Sequence, residues 1–352
     1  MRYPEFIKDG DTLGFAAPSF GCSIDPYRTA FDNALAVLQE KGYQTLLGPN
    51  AYAGDGIGIS STPENCGREF TEMMLSDSCQ AILSCGGGEM MCEILPHVDF
   101  AAICSARPKW FIGYSDNTNL VYTLATQCDL ASVYGPCAPA FGMKRWHPAV
   151  RDAYRLLRGE KLSFSGYRLY EVEPFKDKEH PLEPYACTEP RKIVAFDPVA
   201  GILPDDADKG IAFSGRLIGG CLDTLATLCG TEFDRTTAFA EKYRDDGLVW
   251  FLEACDLNVF GIRRALWQLK SAGWFRYAKG FLFGRPMAAQ ADLLGLDHIR
   301  AVTDMLSDLQ VPVLLDTDIG HLPPMIPLIS GSLASVRYAP ASDSFRLKMT
   351  LK

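Results

Sequence analysis

Short blocks of consecutive apolar residues alternate along the first half of the chain with longer stretches in which apolar positions recur every three or four residues. Residues 12–18, 81–85, 110–112 and 131–134 are blocks of the first kind and read as strands, the first of them buried, and residues 43–47 read as a further strand. Between them, residues 27–41 put Phe31, Ala34, Leu35 and Leu38 on one helical face, and Gly42 closes that helix. Pro63 opens a second helix through Phe70, Met73, Met74 and Leu75, after a glycine- and serine-rich loop over residues 50–61. Short helices are expected over residues 89–95 and 101–106, and the helix after residue 116 begins another crossover. This alternation predicts an α/β fold, with a mostly parallel sheet flanked by helices and ligands held beyond the carboxyl ends of the strands.

The pattern dissolves over residues 167–210, where six prolines from Pro174 to Pro204 interrupt a charged stretch. Order returns with a strand over residues 213–220 and a helix through Leu222, Leu225, Ala226 and Leu228. Residues 248–253 form an apolar strand that ends in a carboxylate, Glu253, and residues 258–272 a helix that buries Val259, Ile262, Leu266 and Leu269. A strand at 280–283, a helix at 298–309 and a strand at 311–315 lead into a loop ending in Pro323-Pro324. Two alternating strands, at 332–338 and 344–351, complete the pattern. The expected organisation is an N-terminal α/β domain over 1–165, a connector or substrate-covering loop over 166–210, and a C-terminal α+β domain over 211–352.

Composition narrows the class of function. A chain of 352 residues, 47% hydrophobic and 22% charged, is folded rather than disordered and large enough for two domains. A net charge of -9 weighs against nucleic acid or an anionic membrane surface as partner. No run approaches the roughly 20 apolar residues that span a bilayer, and the first residues lack a signal-peptide core, so a cytoplasmic location is expected. The twelve cysteines contain no Cys-x-x-Cys pair. Those in apolar stretches (Cys85, Cys104, Cys128, Cys137, Cys221 and Cys229) read as small buried hydrophobes, and neither metal nor cofactor is expected.

The candidate chemistry begins at Gly113-Tyr-Ser115. A strand that turns sharply into a helix through Gly-x-Ser lifts the serine hydroxyl to the crest of the bend, beside free N–H groups of a helix N-terminus. The competing reading is an ordinary helix cap. Of the five histidines, His97 and His147 adjoin prolines, His180 lies in the connector and His298 starts a helix. His321 instead follows a strand in a Gly-x-x-Pro-Pro loop that can aim an imidazole, making it the candidate base for Ser115. Its second nitrogen needs an acceptor, for which Glu253 is the first candidate and Asp316 and Asp318 are the others. An ion pair of Glu253 with Arg263 or Arg264 is the structural alternative. Oxyanion donors are available in the amide of Asp116 and in the Gly86-Gly87-Gly88 turn, which lacks the Lys-Ser/Thr of a phosphate-binding loop.

Seven stretches resemble the LD-carboxypeptidase family of serine peptidases, which includes murein tetrapeptide carboxypeptidases and microcin C self-immunity peptidases. They are residues 11–19, Cys85-Gly-Gly-Gly88, Ile112-Gly-Tyr-Ser-Asp116, Tyr134-Gly-Pro136, Gly215-Arg-Leu-Ile-Gly-Gly220, Phe251-Leu-Glu253 and Gly320-His-Leu-Pro-Pro324. The resemblance implies a C-terminal domain containing a partial β-barrel, a metal-free Ser115-Glu253-His321 triad and a homodimer. It places the oxyanion donors at Asp116 and Gly87, with Gly86, Gly88 and Tyr134 as substrate contacts. The implied substrate is a small peptide or a peptidyl-nucleotide. Gly88 and Cys221 depart from residues usual in the family, and the connector carries Tyr167, Tyr170, Phe175 and Tyr185 but no tryptophan. Two other readings are an α/β-hydrolase-like esterase and a non-catalytic protein that keeps the cleft.

Overall fold

The computed structural model describes residues 1–289 and 291–352, which divide into two units. The first comprises Met1–Lys161, Glu173–Ala186 and Pro327–Ile329. Its strands β1 (Thr12–Ala16), β2 (Gln44–Leu47), β3 (Ala81–Ser84), β4 (Trp110–Gly113) and β5 (Ser132–Tyr134) are parallel and ordered β2-β1-β3-β4-β5. A sixth strand, Leu328–Ser330, joins the sheet beside β5. Parallel neighbours need crossovers. These are supplied by helices α1 (Tyr27–Glu40), α2 (Pro63–Leu75), α3 (Phe100–Ser105) and α4 (Thr118–Cys128), with α5 (Pro148–Leu157) following β5.

Local chemistry sets the helix ends. Thr62 Oγ1 accepts the Asn65 N–H ahead of α2, whose first residue is Pro63, and Asp99 does the same for Ala102 ahead of α3. Helix α1 buries Ala30, Phe31, Ala34 and Leu38. In this strand order the crevice opens where neighbouring connections diverge, between β1 and β3. Ser19 follows β1, the glycine turn follows β3 and Ser115 follows β4, so the sheet gathers all three at its carboxyl edge.

Several expectations change here. The helix expected over residues 89–95 is a 3-10 helix, Met91–His97, because Pro96 inside it cannot donate to an α-helical ladder. Cys104 and Cys128, read as separate buried hydrophobes, form a disulfide. Helices α3 and α4 bring their Cα atoms to 4.5 Å across a sequence separation of 24, a pairing with no local signature. Helix α5 was not foreseen, although Ala149, Val150, Ala153, Leu156 and Leu157 are buried at helical spacing, and the His147 ring accepts the Ala149 N–H at its start.

The second unit comprises Leu162–Val172, Cys187–Ile326 and Ser330–Lys352. Strands β6 (Ser163–Phe164), β7 (Leu169–Tyr170), β8 (Glu189–Pro190), β9 (Val194–Asp197) and β10 (Gly201–Ile202) come from the proline-rich stretch and its flank. They are followed by β11 (Ile211–Cys221), β12 (Leu248–Glu253), β13 (Ala278–Gly284) and β14 (Val313–Thr317). The strand Leu328–Ser330 is β15, and β16 (Leu333–Ala339) and β17 (Ser344–Thr350) end the chain. A nine-stranded mixed sheet has the order β10-β9-β14-β13-β12-β11-β16-β17-β6, while β7 and β8 pair separately. Its centre, β11 to β14, is parallel, and α6 (Leu222–Leu228), α7 (Thr236–Lys242), α8 (Val259–Ser271) and α9 (His298–Leu306) lie between those strands in the chain.

Every residue of β12 is buried, which accounts for its unbroken apolar run. Among the described residues no helix is long and apolar enough to cross a membrane. The β11–β12 pairing requires Gly219, whose φ is 152°. A Cβ there would stand 1.8 Å from the Phe251 carbonyl oxygen. Gly219→Ala is therefore expected to lower stability by about 3 kcal/mol or more, the scale of disruptive core substitutions, measured by urea denaturation beside the parent.

Candidate active site

Ser115 follows the fully buried strand β4 and has φ 64°, a left-handed conformation that costs a non-glycine residue on the order of 1–3 kcal/mol. Its surroundings hold it there. The Ser115 N–H donates to the Tyr134 hydroxyl at 3.2 Å, and Tyr134 itself is fully buried. One residue on, the Asp116 carboxylate accepts from Ser19 Oγ at 2.6 Å, the Met91 N–H at 3.0 Å and Asn119 Nδ2 at 3.0 Å. Asn117 then ties the serine turn to the glycine turn, its Nδ2 donating to the Tyr114 carbonyl at 3.0 Å and the Gly86 carbonyl at 2.8 Å. Gly113 makes room for this, because a Cβ there would lie 2.6 Å from Asn117 Cγ.

The glycine turn faces the serine. A Cβ on Gly87 would stand 3.1 Å from Ser115 Cβ and 3.3 Å from its Oγ. Gly86 O accepts from both Ser84 Oγ, at 2.9 Å, and Asn117, and Gly87 O accepts the Phe20 N–H at 2.9 Å. A trans peptide aims its N–H opposite its C=O, so tying down Gly86 O fixes the direction of the Gly87 N–H. Among the described residues no acceptor takes that N–H. Such a preset donor beside a serine hydroxyl is what an oxyanion requires. Gly88 packs away from the serine, where a Cβ would meet Ser19 Oγ and Gly58 O.

The second unit carries an acid–base pair. Glu253 ends β12 with no solvent exposure, and its Oε2 lies 2.8 Å from His321 Nδ1. Gly320, with φ 103°, permits this approach, since a Cβ there would be 2.7 Å from Glu253 Oε2. The histidine loop is braced by Arg285, whose Nη1 donates to Asp318 Oδ1 at 2.8 Å and to the Asp316 carbonyl at 3.1 Å. Asp318 Oδ2 accepts the Tyr167 N–H at 2.7 Å. Beyond Glu253, the Asp223 carboxylate accepts the N–H groups of Cys255, Asp256 and Leu257 at 3.1, 2.9 and 3.2 Å, fixing the chain after the acid.

The candidate acids thus sort by partner. Asp316 accepts from His298 Nε2 at 3.0 Å and Asp318 is bound to Arg285, whereas Glu253 holds His321. Arg263 pairs with Asp304. His180 lies against Asp177, and His97 approaches Glu64 at 3.8 Å. Among the described residues no group of three or more His, Cys, Asp and Glu side chains could hold a metal ion. Sequence reasoning singled out Ser115, Glu253 and His321 as candidates and passed over Asn117, the Asp116 side chain and Asp223. The polar run directly after Ser115 was the available signal for the first two.

Burial by itself would lower the His321 pKa, but the Glu253 charge and the hydrogen bonds that the ring makes to Cys255 and Glu253 lift it well above the ordinary histidine value. Asp116 is pushed up to about 6, chiefly by burial and also by the Glu89 charge, against the opposing bonds from Ser19, Met91 and Asn119. Between the ordinary aspartate value of 3.8 and about 6, the folded protein therefore holds the Asp116 proton more tightly than the unfolded chain does. Stability falls as pH rises through that window. Thermal melts of Asp116→Asn are expected to show a flatter dependence than the parent across it.

The family model described as the LD-carboxypeptidase N-terminal domain matches residues 13–135, and the model of the LD-carboxypeptidase C-terminal domain matches residues 214–336. The chain is 26% identical to the microcin C7 self-immunity protein MccF of Escherichia coli, over 92% of this chain and 89% of that one. It is 27% identical to a probable murein peptide carboxypeptidase of Bacillus subtilis, over 96% of this chain and 92% of that one. The solved structure of MccF in complex with aspartyl sulfamoyl adenosine superposes with a TM-score of 0.78 at 23% identity, covering 99% of this chain and 98% of that one, a likeness of fold.

Proposed function

The chain belongs to the LD-carboxypeptidase family, a family of serine-type carboxypeptidases and amide hydrolases, and from that premise we propose that Ser115, Glu253 and His321 form its catalytic triad. The observation that carries this reading is the buried Glu253–His321 bond of 2.8 Å, which commits Nδ1 to the acid and assigns the role of base to Nε2. His321 takes the Ser115 proton as Ser115 attacks the scissile amide carbonyl, and Glu253 fixes the tautomer and stabilises the imidazolium. The Gly87 and Asp116 N–H groups receive the oxyanion. His321 then protonates the leaving amine, and water releases the acyl group from Ser115. In this account Tyr134 sets the serine turn through its hydroxyl, and Gly86 and Gly88 shape the glycine turn around Gly87.

The substrate is a small amide, either a murein peptide or a peptidyl-nucleotide. One relative is named for microcin immunity and another for murein peptides. Mass spectrometry of turnover, with Ser115→Ala as control, separates them. D-alanine release from a murein tetrapeptide assigns the first, and cleavage of aspartyl sulfamoyl adenosine assigns the second. Turnover of neither would overturn the substrate class. Loss of neither activity in Ser115→Ala would overturn the serine mechanism. The homodimer implied by the resemblance is tested by light scattering of the eluting peak.

The raised pKa gives the pH dependence its sign. His321 must be neutral to act as base, so kcat/KM should fall as pH drops through a value above the ordinary 6.5. In Glu253→Gln the charge that lifts His321 is gone and burial remains, so this acid limb should move to lower pH. Maximal activity should fall on the order of 10²–10⁴, the range seen when a triad acid or oxyanion donor is lost. A pH–rate profile of parent and variant measures both.

A further inference from the structure

A cleft of about 830 Å³ in the second unit lies between the residues that flank the paired strands β7 and β8 and the ends of β11, β16 and β17, and four arginines line it: Arg168, Arg191, Arg337 and Arg346. This concentration of positive charge is unusual in a chain of net charge -9. Arg337 on β16 stands directly opposite Arg346 on β17 in the antiparallel register. Like charges in that relation repel each other at a Cβ separation of about 5 Å. On the other side of Arg337 the register partner is Ala212, whose methyl group cannot cover a guanidinium.

The cleft's lining contains one carboxylate, Asp343, and it is already engaged. Its Oδ2 accepts from Arg191 Nη2 at 2.7 Å, and its Oδ1 accepts from the Tyr338 hydroxyl at 3.2 Å. Among the described residues, Arg168, Arg337 and Arg346 form no ion pair. Arg191 is built in rather than laid on the surface. Its side chain is 6% exposed, its Nη1 donates to the Ser165 carbonyl at 3.1 Å, and its buried Nε has no hydrogen-bond partner. Both of its Nη atoms are engaged, since Nη1 also lies 3.9 Å from Asp318 Oδ2 and Nη2 also donates to the Asp343 carbonyl at 2.9 Å. Arg191 therefore braces the wall of the cleft, and recognition of paired phosphate or carboxylate oxygens falls to Arg168, Arg337 and Arg346.

We infer that this cleft binds a small polyanion, a molecule with at least two phosphate or carboxylate groups, one of which bridges Arg337 and Arg346. Such a ligand would relieve the repulsion across the β16–β17 pair and supply the counter-charge that the lining lacks. The assignment is independent of the proposed triad, since none of these arginines belongs to it.

Isothermal titration of the full chain at low salt, with inorganic tripolyphosphate in one arm and citrate in the other, tests this. Saturable one-to-one binding of at least one probe is expected, and the arm that binds separates phosphate from carboxylate ligands. Arg337→Ser/Arg346→Ser should weaken binding tenfold or more. Arg168→Ser, at an exposed position just before β7, should weaken it severalfold without touching β16 or β17. Lys144→Ser/Arg145→Ser, which removes the same charge from exposed positions of the first unit, should leave binding within about twofold. The proposal is overturned if neither probe binds saturably, or if the Lys144/Arg145 variant loses as much affinity as the Arg337/Arg346 variant.

Discussion

A carboxylate with no solvent exposure, placed at the end of an otherwise apolar strand, is the constraint that organises the second unit. Glu253 costs several kcal/mol to desolvate unless a partner of good geometry meets it. The loop after β14 supplies that partner in His321, and the neighbouring backbone is arranged around the contact. Gly320 and Gly284 leave space that a Cβ would fill against Glu253, Gly219 lets β11 close on β12, and Asp223 holds the residues that follow the acid. Arg285 and Asp318, both buried, brace the same loop from behind. The outcome is an imidazole with its tautomer set and its basicity raised, within one unit of the protein.

The first unit solves a different problem, that of keeping a serine in a conformation it would not choose. Tyr134, Asp116 and Asn117 each supply a hydrogen bond that the left-handed turn needs, and Asn117 couples that turn to the glycine turn after β3. The carbonyls of Gly86 and Gly87 are both occupied, so the direction of the Gly87 N–H follows from peptide planarity and not from any ligand. The strained residue and the preset donor are therefore parts of one network. That network stands at the carboxyl edge of a parallel sheet, beside the β1–β3 crevice where such folds hold ligands.

What the sequence revealed and what it hid follow from the range of the interactions. Alternating periods exposed β1 to β5 and α1, α2 and α4 because those signals lie within a few residues. Gly-Tyr-Ser, the apolar strand ending in Glu253, and the Gly-His-Leu-Pro-Pro loop were legible for the same reason. The Asn117–Gly86 bond, the Asp116–Ser19 bond and the Cys104–Cys128 disulfide join residues far apart in the chain, and nothing at either end announces the other. Strand β15 was missed because three residues near the C-terminal end carry no period, yet they complete the first sheet. The arginine cleft stayed hidden because two of its four cations flank β7 and β8 and the other two meet only through the register of β16 and β17.

The central claim is that Ser115 owes its nucleophilicity to His321 and Glu253. The most direct measurement is the rate at which a fluorophosphonate attaches to the protein, followed by intact mass and peptide mapping in the parent, Ser115→Ala, His321→Ala and Glu253→Gln. The account predicts a single adduct on Ser115, absent in Ser115→Ala and slowed by orders of magnitude in the other two variants while each remains folded. Equal labelling rates in the parent and His321→Ala, or an adduct elsewhere than Ser115, would contradict it.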